Sequence, residues 1–237
     1  MELEKVSLVD EAYEKIKQKI CDFELVPGTA ISDFILSKEL GMSRTPIRMA
    51  LQKIENDGLI RDGGAGQSYY VCEITEADII DLFNARRGIE LSALLLAMDE
   101  RRVTEENLER LRWINQRMEE VNKQGNVKQQ FNYDQKFHDE LVLLSGNTRI
   151  IRFHNSLLLQ LTRMRALSYL ERSYQDKAYR DHAQVIHMIE SGDRDGAIHA
   201  LWEHIDSTRE NYISLLTNKL NGDSFGVLSF TMKHDPQ

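Results

Sequence analysis

The segment ISDFILSKELGMSRTPIRMALQKIENDGLI, Ile31 to Ile60, carries two short helical patterns separated by Gly41-Met42. In the second pattern Ser43 stands at an N-cap position. Pro46 falls in the first turn, where a missing N–H costs little. Ile47, Leu51, Ile54 and Leu59 supply an apolar side at helical spacing. Ser43, Arg44, Thr45 and Arg48 gather at the leading end. A helix lodged in a DNA major groove presents that end to phosphates and base edges. The pattern predicts a helix-turn-helix in which Arg44 reads guanine O6 and N7, Ser43 and Thr45 hold phosphate, and Arg48 does either. A solvated helix face is the plain alternative for both arginines.

The flanks extend this reading. Upstream, Leu8, Val9, Ala12, Ile16 and Ile20 give Val6–Phe23 a helical period, and Pro27-Gly28 marks a turn. Ile31–Leu40 and Ser43–Asn56 are the expected pair of helices, with Gly58 as the stop. Leu59-Ile60-Arg61, the run DGGAGQ and then SYYVCEI read as strand, glycine turn and strand, a β-hairpin. Residues 1–75 are therefore expected to form a winged helix-turn-helix.

Charge qualifies that expectation. The chain of 237 residues has a net charge of −8, and residues 1–75 hold nine Lys/Arg against thirteen Asp/Glu. DNA binding draws much of its affinity from phosphate neutralisation, so one copy should bind weakly and in a salt-sensitive way. Positive charge is instead local: Arg44, Arg48, Lys53 and Arg61 face only Glu55 and Asp57 between Ser43 and Arg61. The two cysteines, Cys21 and Cys72, make neither a disulfide framework nor a zinc-thiolate site. They fit reduced thiols in a cytoplasmic protein. No apolar run is long enough to cross a bilayer, and the start MELEKVSLVDEAYEKI lacks a signal peptide's apolar segment.

From Thr75 onward the pattern is helical. Thr75 and Thr104 each precede an acidic first turn, as TEAD and TEEN, which suits N-caps. Helices are expected near 75–100, 104–124, 127–145, 147–171, 175–191 and 193–219, broken at Gly125, at Ser145-Gly146-Asn147 and at Ser191-Gly192-Asp193. Six helices with short loops imply an antiparallel all-α bundle over residues 76–219, joined directly to the first domain through Val71–Thr75. The tail 220–237 is distinct. Phe225, Val227, Leu228 and Phe230 suit a short strand or arm, or a frayed terminus.

Within the bundle, Asp134 and His138 stand four apart and share a helix face, and His182 and His204 sit on later helices. A carboxylate with three imidazoles suits a divalent ion such as zinc, nickel or manganese. The spacing alone is weak evidence, because ordinary buried or polar histidines produce the same pattern. His187 and His199 lie five residues from a proposed ligand, about 140° round the helix, and should face elsewhere. His154 and His234 are also left out of the site. Arg86 and Arg87, in ARRGIE, lie on the first bundle helix. An arginine in an apolar cavity would clamp a carboxylate, whereas a surface arginine would pair with Asp81 or Glu90. By the same logic Arg163 and Arg165 point into or beside the bundle, or are surface charge, and neither is placed in the site.

The order Pro-Gly, SRTPIR, Asp-Gly-Leu-Ile and glycine wing resembles the DNA-binding domain of the GntR family of bacterial transcription regulators over nearly all of residues 8–73. The family usually carries Glu where Asp33 or Phe34 stands, and an Arg-Gly wing tip where this chain has GGAGQ. DQKFHDELVLLSGN, DHAQVIHMIESGDRDGAIHALWEHI and ARRGIE together resemble the FCD ligand-binding domain of the FadR subgroup over residues 76–219, and six helices fit its VanR-type branch. The resemblance implies a metal held by Asp134, His138, His182 and His204, a small carboxylate contacting Arg86, a homodimer and a palindromic operator on double-stranded DNA.

Three function classes follow. The first is an acid-responsive DNA-binding regulator, most often a repressor. The second is a sensor for which the ion itself is the signal. The third is a metalloenzyme, disfavoured because no HExxH or ExxH pair is present.

Overall fold

The computed structural model describes residues 7–64, 68–165 and 175–219, and the chain divides into two compact units, one running to Ile74 and one starting at Thr75. In the first unit, helix α1 (Leu8–Cys21) is capped by Ser7, whose hydroxyl oxygen accepts from the Asp10 amide. Its Ala12, Ile16 and Ile20 recur every fourth residue and are fully buried. Strand β1 (Ala30–Ile31), helix α2 (Asp33–Glu39), helix α3 (Arg44–Asn56), strand β2 (Ile60–Asp62) and strand β3 (Tyr69–Val71) follow. Helix α3 packs on α1 and α2. It buries Ile47, Leu51 and Ile54 completely, with Leu59 beyond its end. Gly58 follows the C-cap Asp57 at φ +74°, a left-handed position that a side chain would strain.

The sheet holds one strand more than the sequence pattern predicts. β3 lies between β1 and β2 in the order β1-β3-β2, antiparallel to both, with Ile31 opposite Tyr69 and Ile60 opposite Val71. Two residues are too few to show alternation, so β1 gives no periodic signal. Its presence also moves the start of α2. Ile31 is buried in the sheet, Ser32 is the N-cap accepting from the Ile35 amide at 3.4 Å, and the helix begins at Asp33 rather than Ile31. The wing tip at 65–67 and the tail at 220–237 lie outside the described residues.

The second unit contains α4 (Glu76–Asp99), α5 (Glu105–Lys123), α6 (Val127–Leu144), α7 (Thr148–Arg165), α8 (Gln175–Glu190) and α9 (Arg194–Lys219). Thr75 and Thr104 each close a capping box, with Asp78 and Asn107 respectively. Helix α4 packs against α6, α7 and α9, while α5 packs against α6 and α8, and α8 against α9. The buried stripe of α4 runs Ile79, Leu82, Phe83, Arg86, Glu90, Ala93, Leu94 and Ala97, so two charged residues occupy core positions. Among the described residues no helix is long and apolar enough to cross a membrane.

Because Leu51 is fully buried, Leu51→Ala should cost about 2–5 kcal/mol. Amide hydrogen exchange of α1 and α3 should lose protection by that amount, and unchanged protection would show that this contact does not hold the head together.

Candidate metal centre and nucleic-acid interface

The buried faces of α6, α8 and α9 bring Asp134, His138, His182 and His204 together, with one potential ligand atom from each lying within 4.8 Å of the others. The three imidazoles are at most 2% exposed. His204 Nε2 lies 3.2 Å from both His138 Nε2 and His182 Nε2. Asp134 Oδ1 lies 3.5 Å from His182 Nε2 and 3.8 Å from His138 Nε2. Tetrahedral zinc with bonds of about 2.0–2.1 Å sets its nitrogens about 3.3 Å apart, which the two His204 distances match, while the Asp134 distances are longer.

The outer ring nitrogens decide which lone pairs face inward. His138 Nδ1 lies 2.6 Å from Glu90 Oε2, and His204 Nδ1 lies 3.3 Å from Asp181 Oδ2. Carboxylates accept, so Nδ1 of His138 and Nδ1 of His204 each donate outward, which turns both Nε2 atoms toward the centre of the cluster. His182 is held differently. Its ring stacks on Phe137, with centroids 3.8 Å apart and planes 9° apart, and its Nδ1 has no hydrogen-bond partner among the described residues. Burial, reinforced by His204 and His138, holds His182 well below the usual histidine range, so it is neutral and able to donate its electron pair. Asp181 is lowered despite its partial burial, because His204 and Lys177 favour its charged form. The donor set of three imidazoles and one carboxylate fits a borderline divalent ion. When bound, such an ion offers open coordination positions to an anion.

Arg86 borders this cluster. It is buried, its Nε donates to Glu90 Oε1 at 2.8 Å, and its Nη2 has no hydrogen-bond partner among the described residues. Burial opposes its charge, but Glu90 and Asp134 outweigh that and raise its pKa. Arg86 therefore pairs with Glu90, as one of the two sequence readings has it, but inside the core rather than on the surface. Arg87 is the outward residue. It lies 3.2 Å from Asp206 and has its guanidinium over the Trp202 ring.

At the head, Ser43 occupies the N-cap position of α3 but makes no side-chain cap hydrogen bond, contrary to the simplest reading of its place in the sequence. Unlike α1, α2, α4 and α5, α3 has no acid in its first turn. The positive end of its dipole is therefore open to phosphate. Ser43, Arg44, Thr45 and Arg48 are all exposed. The arginines are not merely solvated, however. Arg44 Nη2 lies 2.9 Å from both carboxylate oxygens of Asp33, and Arg48 Nε lies 3.8 Å from one of them. These residues line a cavity of about 310 Å³ together with Ile31, Ser32, Asp62, Ser68 and Tyr69. An exposed ion pair contributes about 0.2–1 kcal/mol, less than the ~1–3 kcal/mol of a bidentate guanine contact, so DNA can displace Asp33.

Comparison with known proteins fits both halves. Residues 81–207 match the FCD domain, and residues 8–66 match the bacterial regulatory proteins of the gntR family. This chain is a GntR-family regulator with an FCD domain. It is similar to the uncharacterized HTH-type transcriptional regulator YdhC of Bacillus subtilis (strain 168), with 25% identity over 205 residues, 84% of this chain and 88% of YdhC. The structure of E. coli McbR/YncC superposes with a TM-score of 0.71 at 20% identity, covering 88% of this chain and 98% of McbR. The metal-free FCD domain of TM0439 superposes with a TM-score of 0.52 at 27% identity, covering 61% of this chain and 97% of that domain. The family and these relatives are transcription regulators, not enzymes.

Several residues of this GntR-family chain escaped the sequence reading. Glu90, Asp181 and Phe137 orient the cluster, and the signal for Glu90 was a second charge within an apolar stripe. Of the two alternatives for Arg163, the structure shows the inward one: it is 5% exposed on α7. His154 is buried with Nε2 2.8 Å from Asp139, while His187 and His199 are exposed as their spacing requires. The side chain of Arg165, and His234, lie outside the described residues. Leu94 is fully buried in the core, whereas Leu91 and Leu95 are half-buried.

A bound ion should stabilise the fold by mass action, by about 2.7 kcal/mol at a free concentration 100 times its Kd. Thermal unfolding with zinc or nickel should therefore show a rise in Tm for the wild type and none for His182→Ala. An equal rise in both would remove His182 from the site.

Proposed function

We propose that this regulator binds a divalent metal through Asp134, His138, His182 and His204, and that a small organic acid completes the ion's shell and contacts Arg86. The reading is carried by the convergence of one carboxylate oxygen and three buried imidazole nitrogens, all within 4.8 Å of one another. The Nη2 of Arg86 supports an anion nearby, since a buried unpartnered N–H is costly. On DNA, Arg44 reads guanine, Ser43 and Thr45 hold phosphate with the α3 dipole, and Arg48 assists. The negative head calls for two copies, so the working form is a homodimer on a palindromic operator. The acid shifts the population between DNA-competent and incompetent states, and release on acid binding makes the protein a repressor. Acting on chromosomal DNA, it works in the cytoplasm.

One observation favours a second reading. Glu90 already matches the charge of Arg86, so an ion could serve as signal without an acid. Fluorescence anisotropy with the protein's own promoter DNA separates the two. Metal alone should leave affinity high and metal with a carboxylic acid should lower it, whereas release by metal alone favours the ion sensor. In the same assay Arg44→Ala should lose about 1–3 kcal/mol on the operator and relax discrimination. Unchanged discrimination would remove Arg44 from base reading.

A further inference from the structure

Arg86, Glu90 and His138 form a continuous buried chain. Arg86 Nε donates to Glu90 Oε1 at 2.8 Å, and Glu90 Oε2 lies 2.6 Å from His138 Nδ1. None of the three side chains is more than 2% exposed. Glu90 and Arg86 stand four apart on α4, whereas His138 is on α6, so the carboxylate spans two packed helices. Among the described residues no other carboxylate faces a ligand ring from so dry a position. Asp181, which faces His204, is 22% exposed at a longer 3.3 Å, and His182 has stacking in place of a partner.

We infer that Glu90 is the positioning residue of the metal centre, fixing His138 as its Nδ1–H tautomer with the Nε2 lone pair turned inward, while holding Arg86 by its Nε edge. This rests on the proposed metal reading. A neutral imidazole has one N–H and one lone pair, and whichever partner takes the N–H decides where the lone pair points. A carboxylate on the outer nitrogen also raises the ring's basicity and locks its rotation. The guanidinium, bonded to the other carboxylate oxygen, fixes the orientation of Glu90 between the two helices. Arg86 therefore serves the ion through Glu90, in addition to any acid it meets through Nη2.

The test uses the full-length protein with zinc or nickel alone, titrated against a competing chelator. The wild type should bind the ion, and Glu90→Gln, which keeps the size but loses the charge, should bind about 10–100-fold more weakly. Binding by Glu90→Gln within about twofold of wild type would overturn the inference. A merely structural role is separated by the double variant Arg86→Met/Glu90→Gln, which removes the buried pair as a unit. Its metal-free Tm should recover toward wild type while its metal affinity stays low. Recovery of affinity as well would show that Glu90 only neutralises Arg86, and would also overturn the inference. Long-range nitrogen–proton correlation NMR of the metal-free protein should show His138 as the Nδ1–H tautomer in wild type, and the opposite tautomer there would contradict it. A folded wild type that binds no ion would bring down the metal reading itself, whereas a wild type that binds beside an unaffected Glu90→Gln brings down only the role of Glu90.

Discussion

Three imidazoles with their Nε2 atoms drawn to one point in a dry bundle are the constraint around which the second half of this chain is organised. Apolar side chains of equal volume would pack there at less cost, since each buried ring nitrogen must find a partner or forfeit its hydration. The chain meets that demand on the outside of the cluster with Glu90 and Asp181, and by stacking Phe137 on His182. Inside the cluster it supplies acceptors and only a carboxylate to face them. A divalent ion would supply the missing counterpart, and under the proposed function α6, α8 and α9 would draw part of their cohesion from it.

The head solves a different problem. It must read an anionic polymer while carrying net negative charge over residues 1–75. The solution is local: α3 begins without an acid, its cap hydroxyl is uncommitted, and its two arginines share Asp33. An exposed pair of this kind is weak enough to exchange. If Arg44 reads a base as proposed, its pairing with Asp33 beforehand would lower the entropy lost when the side chain is ordered there.

Most of the helical framework was legible because its signals are local. Thr75 and Thr104 announce capped starts, Gly58 a left-handed stop, and the spacing of Ile47, Leu51 and Ile54 a buried face. What escaped depends on contacts between distant parts of the chain. The two-residue β1 exists only because β3 pairs with it, and that pairing takes Ile31 out of α2. The four clustered donors could be named from type and face, and family resemblance sharpened the choice. The partners that orient them could not, since Glu90 lies 48 positions from His138 and only packing of α4 on α6 joins them. The two alternatives for Arg163 were left open for the same reason: its burial is set by neighbouring helices, not by its own residue type.

X-ray absorption spectroscopy at the metal edge of zinc- or nickel-loaded protein tests the central claim most directly. The account predicts a first shell of nitrogen and oxygen at about 2.0–2.2 Å, with the multiple-scattering signature of three imidazole rings and no sulfur. An all-oxygen shell, or one lacking imidazole scattering, would place the ion elsewhere and contradict it.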